Sequence, residues 1–436
     1  MASGPFAVHL SRAALFAVAL CATGDAAADV TFNVDTVVDL IDDNTNDGVC
    51  RTVGNTCSLR AAVMQANHWS NPEFAIINVP AGVYRISIAV PASGFDGEAA
   101  GDLNLTAALV AGQRITINGA GAASTAIDGN QLGGVFNIAA GRIARIANVS
   151  IRNGDARFSG GGIANAGTLT VASSLIEGNR ARIDGGGIDS SWPAATLTVI
   201  ASTIRANVAG SGGGGISAGG SATIRDSTIS ANLARDGGGV YNNGQLYVTN
   251  STFSANAADT NGGGIFSRIN AFVYNASVID NDADHDHDEN GGIGGGLFVA
   301  TGSRFVAVHS LIAGNTQFNA PIYNDCNGAL ETYGRNMFGE VVGCTFPNTT
   351  TWGTVLLNTI GPLQDNGGPT LTHALLASSQ AINTSSDPLG CVDETGALMA
   401  TDQRGAGRIA GPHCDTGAYE FASPVPSPLI FSNGFE

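Results

Sequence analysis

The sequence predicts an all-β chain, a right-handed parallel β-helix with a short N-terminal capping helix, and three observations carry that expectation. First, a glycine signature recurs, ending at Ile163, Ile188, Ile216, Val240, Ile265 and Leu297, and each copy leads to an asparagine: Asn179, Asn207, Asn232, Asn256, Asn281 and Asn315. Extending the register backwards puts Gly154 and Asn130 in the same column, giving eight turn positions spaced 24, 25, 28, 25, 24, 25 and 34 residues. Second, the segments between, such as Leu169 to Val171, Leu197 to Val199 and Leu246 to Val248, alternate apolar and polar as strands do. Each is too short to bury itself, so neighbouring repeats must supply the rest of the core. Third, the repeat is rich in Gly, Ser, Thr, Ile and Val, whereas a leucine-rich horseshoe needs a leucine-dense repeat. Coils stacked at about 4.8 Å place the asparagines in an axial amide ladder. Parallel crossovers are right-handed where that rule applies.

Residues 1–28 read as a secretory signal. Arg12 supplies the charge, Ala13 to Ala22 the apolar run and Ala26 to Ala28 the small-residue cleavage site. That run is too short to span a bilayer, and no other segment is long and apolar enough, so the mature chain is expected to be exported without a transmembrane segment. The organisation that follows is an N-terminal cap over 29–74, a parallel β-helix over 75–320, C-terminal coils and a cap over 321–421, and a tail over 422–436.

In the cap, Cys57 to Asn67 reads as a short helix with Ser58 as N-cap and Leu59, Ala62, Val63 and Ala66 on one face. Such a helix would plug the open end of the solenoid, which otherwise exposes strand edges. Export makes disulfides plausible for Cys50, Cys57, Cys326, Cys344, Cys391 and Cys414. Six cysteines allow fifteen pairings, and clustering along the chain favours Cys50–Cys57, Cys326–Cys344 and Cys391–Cys414. A thiolate metal site is the rival, but the Cys-x-x-Cys spacing is missing.

The chain carries 19 basic and 36 acidic residues, 19 − 36 = −17, and every basic residue is Arg. Such an acidic, lysine-free surface argues against nucleic acid and against an anionic membrane as partner.

Several motifs carry family resemblances. The Asx-rich run Asp42 to Gly48, the Cys pair and Cys57-Ser58-Leu59-Arg60-Ala61-Ala62 resemble the CSLREA domain of secreted bacterial β-helix proteins, with Ala61 standing where that family has Glu. The repeats, Phe253 to Asn256 above all, resemble those of polymorphic outer-membrane proteins. Gly361 to Thr370, Thr372 to Leu376, Asp402 to Gly405 and Cys414 to Glu420 resemble the choice-of-anchor Q domain. Together these resemblances imply an exported protein of the extracellular or outer-membrane surface, anchored by varied signals.

Function is read as a binding or structural surface module, adhesin-like, whose partner is a polysaccharide or a host or cell-surface ligand. A polysaccharide lyase or glycoside hydrolase on the same scaffold is the alternative. A lyase needs clustered carboxylates for Ca²⁺ and a base, and a hydrolase needs paired carboxylates. Asp184, Asp189, Asp226, Asp236 and Asp259 stand at differing repeat positions, as do Arg205 and Arg225, so the spacing names no catalytic residue. In the C-terminal signature, Arg404 reads as a fork on a buried carboxylate and His373 as a packing residue.

Calcium is the one candidate cofactor, with two candidate sites. The long repeat holds six acidic residues between Asp280 and Glu289. In an extended segment, Asp284, Asp286 and Asp288 would point one way and His285 and His287 the other. The carboxylate side suits Ca²⁺ and the imidazole side a transition metal; a solvated acidic loop is the bland alternative. Asp43 and Asp47 form the second site, in a run that also reads as an Asx-rich turn.

Overall fold

The computed structural model describes residues 29–69, 74–90, 97–287, 291–318, 323–348, 352–384 and 391–422. The signal-like segment and Asp288 therefore lie outside the described residues.

One coil shows how the repeat becomes a solenoid. After Gly185 to Gly187, Ile188–Ser190 forms the first sheet, Thr196–Ile200 the second, Thr203–Arg205 the third and Val208–Ala209 the fourth. Alternation turns Ile188, Leu197, Val199, Ile204 and Ala209 inward, all buried. Every strand pairs in parallel with its equivalents one coil away: Leu169 sits beside Leu197, and Leu197 beside Ala222. The apolar columns thus build one continuous core running along the axis. The chain is a parallel β-helix.

Corners are set by backbone geometry. Between the second and third sheets, Ser173, Ala201, Asp226, Asn250, Asn275 and His309 take left-handed φ values of 46–55°. The serine beside this corner accepts from the coil below: the Ser174 and Ser202 N–H groups donate to Ser202 and Ser227 Oγ at 3.1 Å. Between the third and fourth sheets lies the asparagine column, buried throughout. Both the Asn207 N–H and Nδ2 donate to Asn232 Oδ1 at 3.0 Å, and the pattern continues through Asn256 and Asn281 to Asn315. It ends on Asp325, whose Oδ1 accepts from Asn315 while Oδ2 accepts from the Glu340 N–H. A carboxylate suits this last place because only acceptors are needed on both sides. At the other end the column starts at Gly154, whose N–H donates to Asn179. Asn130 stands level with Gly154 in the strand register but is not joined to the ladder: Gly154 has no side-chain amide to link them, and Asn130 is exposed with a left-handed φ of 53°.

The N-terminal segment both joins and covers the solenoid. Val30–Asn33 pairs in parallel with Ala75 to Asn78 in the second sheet. The helix Leu59–Asn67 then packs against the early strands, its Ser58 Oγ accepting from the Ala61 N–H at 3.0 Å. Arg60 is buried beneath it and pairs with Asp39 at 2.7 Å. Disulfides join Cys50 to Cys57, Cys326 to Cys344 and Cys391 to Cys414 across Cα separations of 5.2, 5.4 and 6.2 Å.

Trp352–Thr354 is the last strand of the third sheet. The chain then turns back as a strap along that sheet's outer surface, with an antiparallel pair, Ile360–Gln364 and Thr372–Leu375. Successive coils are gripped in turn. Gln403 donates to Thr228 and accepts from Thr252, His373 meets Ser254 Oγ at 2.8 Å, and the Ala418 N–H donates to Ser277. Arg225 closes one edge on Asp393 (3.0 Å) and Glu394 (2.7 Å). Inside the strap Arg404 forks onto Asp402 at 2.6 and 2.8 Å and lies over the Tyr419 ring. The described residues 361–384 and 391–422 therefore cover the later coils of the third sheet, from Thr228 onward, while Val83 and Arg205 on its earlier coils stay exposed.

The folded chain should be more stable in mild acid. Burial pushes Glu420 up to about 7, and Asp189 and Asp325 up to about 6. A carboxyl with a raised folded pKa contributes stability that is complete below its ordinary value and is lost as pH rises through the folded one. Buried His373 is shifted down, so its contribution has the opposite sign and is lost as pH falls. Asp42, Asp226 and Asp415 are raised by burial too, so the carboxyls outweigh the one imidazole and the melting temperature should fall from about pH 5 to about pH 8. Glu420→Gln should melt lower but with a flatter profile; an unchanged slope would remove Glu420 from the account.

Candidate functional site

With the later coils of the third sheet covered by the strap, the fourth and first sheets are among the faces left uncovered. In the fourth sheet Ala156, Ala181, Ala209 and Ala234 point inward and are at most 7% exposed. The residues on either side of each alanine face outward by alternation. On the early coils these include Arg157, Arg180, Arg182 and Arg235, all exposed. On later coils the same positions hold Asp259 and Asp282. One sheet thus carries a basic end and an acidic end.

The corner leading to the first sheet explains the glycine signature. Gly185 has φ +64°, and a Cβ there would lie 2.5 Å from the Asp189 backbone, so the turn folds tightly over the strand that follows. This fold-back brings Asp184 and Asp189, which stand at unlike repeat positions, to one corner. Asp184 Oδ1 accepts from the Gly212 N–H at 2.8 Å. Asp189 is 5% exposed, and its Oδ1 accepts no hydrogen bond among the described residues. Burial raises it to about 6; Ser191 opposes the shift and the Asp184 charge adds to it.

Along the outward row of the first sheet, Ala164 and Ser217 flank Asp189 and leave it little side-chain cover along the axis. Tyr241, Phe266 and Phe298 follow on later coils, with ring centroids 5.1 and 4.8 Å apart. Arg268 donates to the Tyr241 hydroxyl at 3.0 Å. These three rings stack on one another, which presents their edges rather than their faces. Open aromatic faces stand beside them: Trp192 is 62% exposed on the turn after Asp189, and Phe158 is 72% exposed next to Arg157. The face can therefore stack apolar sugar faces, hydrogen-bond hydroxyls and pair with anions.

The sequence-predicted metal residues lie elsewhere. Asp43 and Asp47 converge on the Arg51 guanidinium at 3.0 and 3.3 Å, so an internal cation already neutralises that loop. Asp42 accepts from the Asn44 and Arg51 N–H groups, the geometry of an Asx turn. In the long repeat the extra residues fall between the fourth and first sheets. Asp284 is buried there at a left-handed φ of 62°, His285 lies 3.4 Å from Asp282, and His287 stacks on Phe318. The two histidines thus turn to different partners. Among the described residues no group of three or more His, Cys, Asp or Glu side chains is placed to hold a metal ion. Arg205 and Arg225 are spent on ion pairs with Glu177 and with the strap.

Fold and site together define a parallel β-helix whose third sheet is partly covered by its own chain and whose fourth and first sheets are left open. No family model matches the chain, and no curated protein is similar to it. Among solved structures the chain is similar to the crystal structure of pectate lyase Pel9A, with a TM-score of 0.51 and 12% sequence identity over 90% of this chain and 96% of that one. That likeness is one of fold. No helix among the described residues is long and apolar enough to cross a membrane.

Proposed function

We propose that the protein is an exported binding module that holds polysaccharide along the open flank formed by its fourth and first sheets. One observation carries the reading: Phe158 and Trp192 stand 72% and 62% exposed at the two ends of the first sheet, a face the strap does not cover. Exposed aromatic rings of this kind can stack on the apolar faces of sugars. Three disulfides and the resemblance to secreted and surface-anchored families support export and an adhesin-like role at the cell surface. Pel9A, by its name, acts on pectate, which supports a carbohydrate ligand for this scaffold.

A second reading has its own observation, the Asp184–Asp189 corner. A carboxyl raised to about 6 beside another carboxylate is the pairing that glycoside hydrolysis uses. Both readings are tested by incubating the purified protein with a panel of soluble polysaccharides. Saturable retention without new reducing ends supports the binding module. Product release that disappears in Asp189→Asn supports the hydrolase and overturns the module; neither retention nor product overturns both.

A further inference from the structure

About half of the arginines in this protein are committed. Seven of its guanidinium groups, Arg51, Arg60, Arg152, Arg205, Arg225, Arg304 and Arg404, form ion pairs with carboxylates. Arg142 and Arg408 are buried. Arg157, Arg180, Arg182 and Arg235 are exposed with no carboxylate within 4.0 Å among the described residues, as are Arg85, Arg114, Arg145, Arg268 and Arg335, but only these four gather along the fourth sheet.

Their placement is regular. Asp155 and Ala156 pair with Arg180 and Ala181, which sets Arg157 beside Arg182 on adjacent coils. Gly210 takes the next place in that column, before Arg235. A Cβ at Gly210 would lie 2.3 Å from the Arg182 carbonyl oxygen, so the backbone itself keeps this place empty. The result is a cleft of about 310 Å³ lined by Asp155, Arg180, Ala181, Arg182, Val208 and Gly210. That is the small end of the range for ligand sites, about 300–1,000 Å³. Beside it stand Phe158 and Ile183, 72% and 43% exposed and on neighbouring coils, the Ile183 N–H donating to the Phe158 carbonyl.

Resting on the proposed function, we infer that this cleft is the subsite for an acidic polysaccharide, a uronate polymer whose carboxylates pair with Arg180, Arg182 and Arg235 while a sugar face lies on Phe158. Guanidinium groups match carboxylates in a two-pronged geometry, and coils repeating at about 4.8 Å present them as a row to a regular polyanion. Like charges on adjacent coils repel, and a bound polyanion relieves that repulsion. Nucleic acid is the poorer occupant. The chain as a whole carries a charge of −17, which repels any polyanion at long range and duplex nucleic acid, with one charge per about 1.7 Å, most of all, while a local cluster of four guanidinium groups suits a short stretch of uronate.

Affinity electrophoresis and calorimetry at low salt, with polygalacturonate, hyaluronate, neutral dextran and single-stranded DNA as probes, test the inference. The parent protein should bind at least one uronate polymer, more weakly as salt is added. Arg182→Ala/Arg235→Ala should bind it about tenfold less tightly with an unchanged melting temperature, since both side chains are exposed. Phe158→Ala should weaken it too and leave the salt dependence intact. Undiminished binding by the double arginine variant would overturn this subsite and leave the proposed function standing. Retention of dextran alone would overturn the acidic ligand only, and equal affinity for DNA would overturn the choice of polysaccharide. Binding of none of the glycans would remove both this inference and the proposed function.

Discussion

Asn232→Ala should lower stability by about 4 kcal/mol, the largest single-residue effect expected in this chain. The variant removes one oxygen that accepts from both the Asn207 N–H and Nδ2 at 3.0 Å, leaving two buried donors bare. It also removes the donors to the Ile204 carbonyl and to Asn256 Oδ1. Water cannot replace these partners, because Asn207, Asn232 and Asn256 are at most 1% exposed. Each unsatisfied buried group costs about 1–3 kcal/mol, while the side-chain ordering that Ala escapes returns less than one such term. Denaturant unfolding of parent and variant measures the difference. A change below about 0.5 kcal/mol would show that the column is wet and the ladder incidental.

Gly239→Ala should cost about 3 kcal/mol, for a different reason. This glycine has no left-handed φ to explain it. A Cβ here would lie 2.5 Å from the Gly264 carbonyl oxygen and 3.1 Å from the Asn256 amide, so the coils would have to move apart. That spacing is shared by every hydrogen bond between the two coils, which keeps relaxation from being local. Gly178 is the matched contrast. It has φ +62° with nothing within 4 Å of an added Cβ, so Gly178→Ala meets conformational strain alone, about 1 kcal/mol. Equal losses in the two variants would mean that conformation, not contact between coils, sets the glycine signature.

These two residues also mark what a sequence alone can reveal here. Asn232 and Gly239 recur because each coil repeats the same close contacts, and a contact repeated at near-constant spacing leaves a visible period. The helix after Ser58 is legible for a local reason, an N-cap followed by an apolar face. The strap is not legible as a lateral seal. His373, Gln403 and Arg408 reach Ser254, Thr252 and Asn275 over separations of 119, 151 and 133 residues, and no period encodes such pairs. The open flank was hidden by the irregularity of the repeat itself. Arg182 and Arg235 share a column, but Gly210 interrupts it and coil length varies between them. Asp184 and Asp189 looked scattered because the glycine turn folds the strand back on itself. The asparagine period reaches Asn130 in register, but the hydrogen-bonded ladder stops at Gly154, which has no side-chain amide to pass it on.

Hydroxyl-radical footprinting of the purified protein, free and saturated with the polysaccharide it retains most strongly, tests the central claim most directly. The account predicts that Phe158 and Trp192 become protected on binding, together with Tyr241 at the edge of its stack. Tyr419, which lies under Arg404 in the strap, and Trp352, at the last strand of the third sheet, should oxidise at the same rate in both states. Protection of Tyr419 or Trp352, with Phe158 and Trp192 unchanged, would place the ligand on the strap side and contradict the assignment of the open flank.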